Sequence, residues 1–226
     1  AAYFAVARLG AVLVPVNGRL KTEEIRHVLD DSRAVAVLLD PSLGAEVRPL
    51  IGEDRRWVSL DEPLPGTVAL GSLAPGRLPA APADPSTIAV QLYTSGTTGV
   101  PKGAMLTHGN LWAVVAAYQL EMGLEPGRSR FLQVTPLFHV GGLLMLLLCV
   151  SCPCTLVLHP EFAPARVLDA LEHDGITHTL LVPAMIRWLM MQPGVADRTF
   201  PALKLVGYGA APMPPELLAE ADAALK

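Results

Sequence analysis

Short apolar runs that alternate with helix-patterned segments constrain this chain more than any other feature of its sequence. Residues 34–39 form a continuous apolar run between Ser32-Arg33 and Asp40-Pro41, and suit a strand buried on both faces. Residues 11–16, 88–93, 131–135, 155–158, 179–182 and 203–206 are further candidate strands. Between them lie segments with apolar residues at helical spacing. Thr22 can cap a helix with Glu23 and Glu24 in its first turn and Ile25, Val28 and Leu29 on one face. Residues 107–122 and 164–173 fit helices, and Gly175 ends the second. Pro183 opens a helix to about Met191, and residues 215–226 form another. Such alternation implies an α/β fold with layered, mostly parallel sheets.

Residues 61–86 break this rhythm. Pro and Gly recur there, from Pro63, Pro65 and Gly66 to Pro82 and Pro85, and the segment reads as a surface connection between residues 1–60 and 87–226. Hydrophobic residues are 51% of the 226 and charged residues 17%, enough for a core and too apolar for global disorder. The net charge of −4, with scattered Lys and Arg, argues against a nucleic-acid partner.

The apolar run 140–150 is too short for a membrane span, which needs about 20 residues. It suits a buried helix or strand. The chain opens on Ala1, with no signal-peptide pattern, and both ends fall within helix-like segments. It reads as a fragment of a longer protein, with a cytoplasmic location expected. Cys149, Cys152 and Cys154 include a C-x-x-C, but His159 is the only nearby fourth ligand. Buried reduced thiols are expected, and no metal site.

The segment richest in chemistry is Tyr93-Thr94-Ser95-Gly96-Thr97-Thr98-Gly99-Val100-Pro101-Lys102-Gly103. Glycines let backbone N–H groups converge on an anion, hydroxyls add donors, and Lys102 adds a positive charge. A polyphosphate needs that combination, although a merely polar turn has the same composition. A Walker A loop is excluded, because Pro101 precedes Lys102 and Gly103 follows it. Gly207-Tyr208-Gly209-Ala210-Ala211-Pro212 approaches a dinucleotide fingerprint, but Pro212 replaces the third glycine.

Residues 94–102 resemble, nearly residue for residue, the signature loop of the adenylate-forming superfamily of acyl-CoA synthetases, luciferases and peptide-synthetase adenylation domains. Residues 5–40 resemble an upstream helix–strand–helix–strand segment of that family. Pro136-Leu137-Phe138-His139-Val140-Gly141-Gly142 resembles its aromatic/His segment beside the acyl pocket, and Gly209-Ala210-Ala211-Pro212 its adenine-flanking loop. The resemblance implies part of the large N-terminal domain of such an enzyme, spanning residues 1–226, without the C-terminal domain. It assigns the ATP phosphates to Thr94, Ser95, Gly96, Thr97, Thr98, Gly99 and Lys102, and adenine to Gly209, Ala210, Ala211 and Pro212. It assigns the acyl substrate to Phe138, His139, Gly141 and Gly142, with His139 orienting it and the two glycines leaving space behind. Lys102 and His139 are the candidate catalytic residues.

The implied reaction joins a carboxylic acid to AMP at the expense of ATP and passes the acyl group to CoA, with Mg²⁺ bridging phosphates. A fatty acid is the first expectation, from the apolar run after Gly142. The family's acidic metal ligand and catalytic C-terminal Lys would lie beyond Lys226, so the fragment is expected to be inactive alone. Two alternatives stay open. One is an amino- or aryl-acid adenylation domain; the amino-acid kind usually carries an Asp in the aromatic segment, and no acid lies between Thr135 and Cys154, which favours an uncharged acyl or aryl acid. A truncated, non-catalytic nucleotide-binding module would lack a Tyr-Gly-x-Thr-Glu segment downstream.

Overall fold

The computed structural model describes residues 2–52, 54–76, 81, 84–94 and 100–225. They fall into two compact units, Ala1–Asn110 and Leu111–Lys226.

In the first unit, helix α1 (Ala2–Arg8) precedes a run expected as a strand at 11–16. Only Leu13 pairs, in a parallel bridge with Val90. Pro15 stands where the next ladder N–H would be needed and has none, so the pairing stops. Helix α2 (Thr22–Asp31) follows. Its cap is Lys21, not Thr22: the Lys21 N–H donates to Glu24 at 2.8 Å. The Thr22 hydroxyl and N–H instead donate to the Glu46 carboxylate at 2.9 and 3.0 Å, from the short helix α3 (Gly44–Val47). Bonds from Lys21 and Thr22 hold the Glu46 carboxyl below its usual range.

The C-terminus of α2 closes as a Schellman turn. Arg33 is left-handed at φ 53°, its N–H reaches the Asp30 carbonyl, and the Ala34 N–H reaches Leu29. The apolar face of α2 (Ile25, Leu29) packs with Leu39, Val47, Leu50 and Trp57.

Strands β1 (Ala36–Leu39), β2 (Arg56–Ser59) and β3 (Val68–Ala69) form a parallel sheet in that order. The expectation of burial on both faces of β1 fails. Leu39 is buried, but its neighbour Leu38 is 44% exposed. A continuous apolar run carries no alternation from which a one-sided strand could be told. The Pro/Gly-rich segment contributes β3 and one 3₁₀ turn, Leu70–Ser72, and is otherwise irregular where described.

Strands β4 (Ile88–Thr94) and β5 (Lys102–Thr107) form an antiparallel pair. Thr107 then leads directly into helix α4 (His108–Met122), whose start is closed reciprocally. The Asn110 N–H donates to the Thr107 hydroxyl and the Thr107 N–H to the Asn110 side chain, each at 3.1 Å.

The second unit is a parallel sheet with helices on both faces. Its strands are β6 (Arg130–Gln133), β7 (Thr155–Leu158), β8 (His178–Leu181) and β9 (Leu205–Tyr208), in the order β7-β6-β8-β9. The crossovers are helices α5 (Val140–Ser151), α6 (Pro164–His173) and α7 (Pro183–Met190), and α8 (Pro215–Ala224) follows β9. Leu132 and Leu181 share one core with Val167, Leu168, Leu171, Ile186, Leu189 and Leu217 of α6 to α8. Side chains alternate along a strand, so Phe131 and Gln133 face the other side, where α5 packs.

The run 140–150 is thus a helix, and most of it is core: Leu143, Leu144, Met145, Leu148 and Cys149 are buried. The three cysteines are free thiols, and burial pushes Cys149 up. Among the described residues no group of three His, Cys, Asp or Glu could hold a metal, and no helix is long and apolar enough to cross a membrane.

His178 is buried, and its Nε2–H donates to the Met122 carbonyl at 2.9 Å. Burial pushes this imidazole below its ordinary value. Protonation therefore favours the unfolded chain, where the group titrates near about 6.5. The His178 contribution to stability is full above that value and is lost as pH falls through it. Urea unfolding of the whole protein at pH 7.5 and 5.5 checks this: the midpoint should fall at the lower pH, and fall less in His178→Gln. Equal falls in both proteins would contradict it.

Candidate functional site

In the first unit the hairpin of β4 and β5 carries the hydroxyl/glycine segment. Thr94 and Lys102 are directly opposite in the ladder, as the last pair before the loop, and Tyr93 is opposite Gly103. Both Thr94 and Lys102 are exposed, and among the described residues Lys102 forms no ion pair. The Gln91 side chain lies across Gly103, where a Cβ would make it shift. Ser95, Gly96, Thr97, Thr98 and Gly99 lie outside the described residues.

The strands flanking the loop are tied to α2. The Tyr93 hydroxyl donates to the Asp31 carboxylate at 2.5 Å, and His27 Nε2 donates to the Pro101 carbonyl at 2.9 Å. Sequence reasoning missed both ties. Asp31 and His27 are ordinary polar positions of an amphipathic helix, and their partners lie 62 and 74 residues away.

In the second unit the two remaining motifs lie on one rim. All four strands are parallel, so every C-terminal end points the same way. The segment from Thr135 to Gly142 leaves the end of β6, and Gly209 to Pro212 leaves the end of β9. The sheet runs outward from β6 in both directions, to β7 and to β8. Open α/β sheets bind ligands at such a reversal, beyond the strand C-termini. The turn at Val182-Pro183, leaving β8, shares this rim and was legible in sequence only as a helix start.

The segment before α5 is tightly built. Buried Gln133 donates from Nε2 to the Thr135 carbonyl and hydroxyl at 2.5 and 2.6 Å. The His139 N–H closes a turn onto the Pro136 carbonyl at 3.1 Å. His139 is the N-terminal cap residue of α5, makes no side-chain capping bond, and is exposed. Its ring lies against Phe138, with centroids 4.5 Å apart. The two glycines differ. A Cβ on Gly141 would meet only Leu180, at 3.9 Å, whereas one on Gly142 would lie 2.2 Å from the Pro136 carbonyl oxygen. The space expected at Gly142 is therefore filled by main chain.

At the other motif, Gly209 has open space around its Cβ position, Ala211 and Pro212 are exposed, and Ala210 is left-handed at φ 67°. A left-handed alanine costs roughly 1–2 kcal/mol, and such strain concentrates at functional sites.

Residues 1–226 match the family model of AMP-binding enzymes. The chain belongs to that family. This AMP-binding enzyme chain is 35% identical over 230 residues to the indoleacetate–CoA ligase of Aromatoleum aromaticum, covering 97% of the chain and 44% of the relative. Its fold matches the amide bond synthetase McbA of Marinactinospora thermotolerans with a TM-score of 0.87 and 29% identity, over 99% of this chain and 45% of that one. It also matches the inhibitor-bound N-terminal domain of FACL13 from Mycobacterium tuberculosis, with a TM-score of 0.84 and 26% identity, over 98% and 56%. The α/β fold is that of the N-terminal domain of adenylate-forming enzymes. The chain spans less than half the length of the indoleacetate ligase.

The contrast between the glycines of the AMP-binding chain gives a direct check. Gly142→Ala should cost about 3 kcal/mol or more, because main chain cannot yield to the new methyl. Gly209→Ala should leave stability unchanged. Urea unfolding of the whole protein measures both, and equal stabilities for the two variants would contradict the packing described.

Proposed function

We propose that the whole protein activates a carboxylic acid with ATP and transfers the acyl group to the thiol of CoA. In the first half-reaction a carboxylate oxygen attacks the α-phosphorus of ATP. The new C–O–P linkage forms as the bond to the β-phosphate oxygen breaks, and pyrophosphate leaves with the bonding pair. In the second, the thiol sulfur attacks the acyl carbon and AMP departs. Family membership and the placement of Thr94 opposite Lys102 support this reading.

Lys102 would stabilise the charge that moves onto the departing pyrophosphate, and Thr94 would donate to a phosphate oxygen. Ser95, Gly96, Thr97, Thr98 and Gly99 are proposed to complete the phosphate contacts. The strip of half-buried Gly209 and exposed Ala210, Ala211 and Pro212 would lie against adenine, and the strain at Ala210 supports a functional reason for that turn. His139, with no capping bond to hold it, would orient the acid beside Phe138 and Gly141, while Gly142 supports that segment from behind.

Mg²⁺ is implied by the family chemistry. The described residues do not gather a ligand set for it.

The acid is proposed to lack a charged group on its acyl portion, because no acid lies between Thr135 and Cys154 to hold an ammonium. A fatty acid remains the first candidate to test. The apolar run 143–148 lends it little support, since most of that run is core. An aryl acid is the second candidate, favoured by the indoleacetate ligase relative.

Acid-dependent ATP–pyrophosphate exchange in the whole protein, across fatty, aryl and amino acids, tests the reading. Exchange with fatty or aryl acids is expected, and exchange with amino acids alone would contradict it. Lys102→Ala should slow adenylate formation about 100-fold or more, and slow thioester formation from supplied acyl-adenylate far less. Equal loss in both half-reactions would refute a role at the departing phosphates.

A further inference from the structure

We propose that His27 and Asp31 of α2 are positioning residues for ATP, which hold the two arms of the β4–β5 hairpin so that Thr94 and Lys102 meet one triphosphate. The inference rests on the assignment of Thr94 and Lys102 to the phosphates made above.

His27 and Asp31 are four residues apart, and so neighbours on one helical face. The opposite face is fixed independently, because Ile25, Val28 and Leu29 are buried and Glu46 ties down the first turn. The helix is thus an anchored bar with two polar contacts on its free side. Each contact ends on the residue immediately before a proposed phosphate ligand.

On one arm, Asp31 accepts the Tyr93 hydroxyl at 2.5 Å, next to Thr94. On the other, the His27 ring donates to the Pro101 carbonyl at 2.9 Å, next to Lys102. A carbonyl only accepts, so His27 Nε2 carries its proton here. The two contacts also meet each other. The His27 and Tyr93 rings are edge to face with centroids 6.3 Å apart.

The arms are further locked in register. Gln91 Nε2 donates to the Tyr93 oxygen at 3.2 Å, and the Gln91 side chain crosses over Gly103, the cross-strand partner of Tyr93. Burial and the Asp31 carboxylate push the Tyr93 phenol up, so it stays a proton donor at any working pH.

These contacts add little to the core. His27 is half-buried and Asp31 exposed, so truncating either leaves no large cavity. Their value lies in geometry, because small displacements of groups around a reacting centre carry large penalties in rate.

The test uses the full-length protein with an acid that supports exchange, and measures KM for ATP, KM for the acid, kcat and the unfolding midpoint. Asp31→Ala, Tyr93→Phe and His27→Ala should each raise KM for ATP roughly five- to tenfold, the effect of about one lost hydrogen bond. KM for the acid should stay unchanged. Asp31→Asn and His27→Gln keep an acceptor and a donor, and should stay near the wild type. The Asp31→Ala/Tyr93→Phe double variant should match either single variant, because both remove the same bond. Should the alanine variants not fold, Tyr93→Phe, which removes one oxygen atom, carries the test by itself.

An unchanged KM for ATP overturns the inference. So does a parallel rise in both KM values with a lower unfolding midpoint, or a loss in the Asn and Gln variants equal to that in alanine. If Lys102→Ala impairs adenylate formation while the His27 and Asp31 variants do not, the phosphate assignment survives and the positioning role falls. A wild-type protein that consumes no ATP with any acid removes both.

Discussion

The antiparallel pairing of β4 with β5 is the interaction on which the proposed phosphate site depends. It brings Thr94 and Lys102 face to face although seven residues separate them in sequence. Ladder hydrogen bonds fix that register, and a one-residue slip would turn each side chain to the opposite face. Gly103 leaves room for the Gln91 side chain to lie across the ladder. The hairpin borrows further rigidity from α2, whose own position is set by apolar burial and by Glu46. A cation and a hydroxyl are thereby presented together without a buried charge, which would carry a heavy desolvation penalty.

The second unit solves a different problem with a different device. Parallel strands joined by helical crossovers send every C-terminal end to one rim, so segments far apart in sequence reach the same edge of the sheet. The motif beginning at Pro136 and the one beginning at Gly209 are two such exits. The sheet positions them, while local packing shapes them. Gln133 pins Thr135, Gly142 admits the Pro136 carbonyl, and Gly207 accommodates Leu180 beneath the last strand. The exposed, conformationally strained Ala210 and the uncapped start of α5 at His139 are the places where this rim departs from the best local geometry. Such departures are where function is expected to compete with stability.

Much of this was legible in the sequence, for physical reasons that can be named. Strand β7 and helix α6 begin and end where apolar period, Pro164 and Gly175 place them. The hydroxyl/glycine segment stands out in the sequence, and the structure places its two described ends, Thr94 and Lys102, opposite each other. What escaped were effects of distant partners. Thr22 looks like a cap until Glu46 claims its hydroxyl, and residues 11–16 look like a strand until Pro15 ends the ladder at Leu13. Leu38 looks buried, because an apolar run does not reveal which face the chain covers. At the candidate site, the paired glycines suggest space. Gly142 instead marks a place where main chain already sits. The ties of α2 to the hairpin left no trace in local pattern, because each joins residues more than sixty positions apart.

The most direct test of this account is a structure of the whole protein with a non-hydrolysable ATP analogue. The β- and γ-phosphate oxygens should lie within about 3 Å of the Thr94 hydroxyl and the Lys102 ammonium, the ordinary reach of a charge-assisted hydrogen bond. An analogue bound with its phosphates remote from that pair, while the hairpin register stays intact, would contradict it.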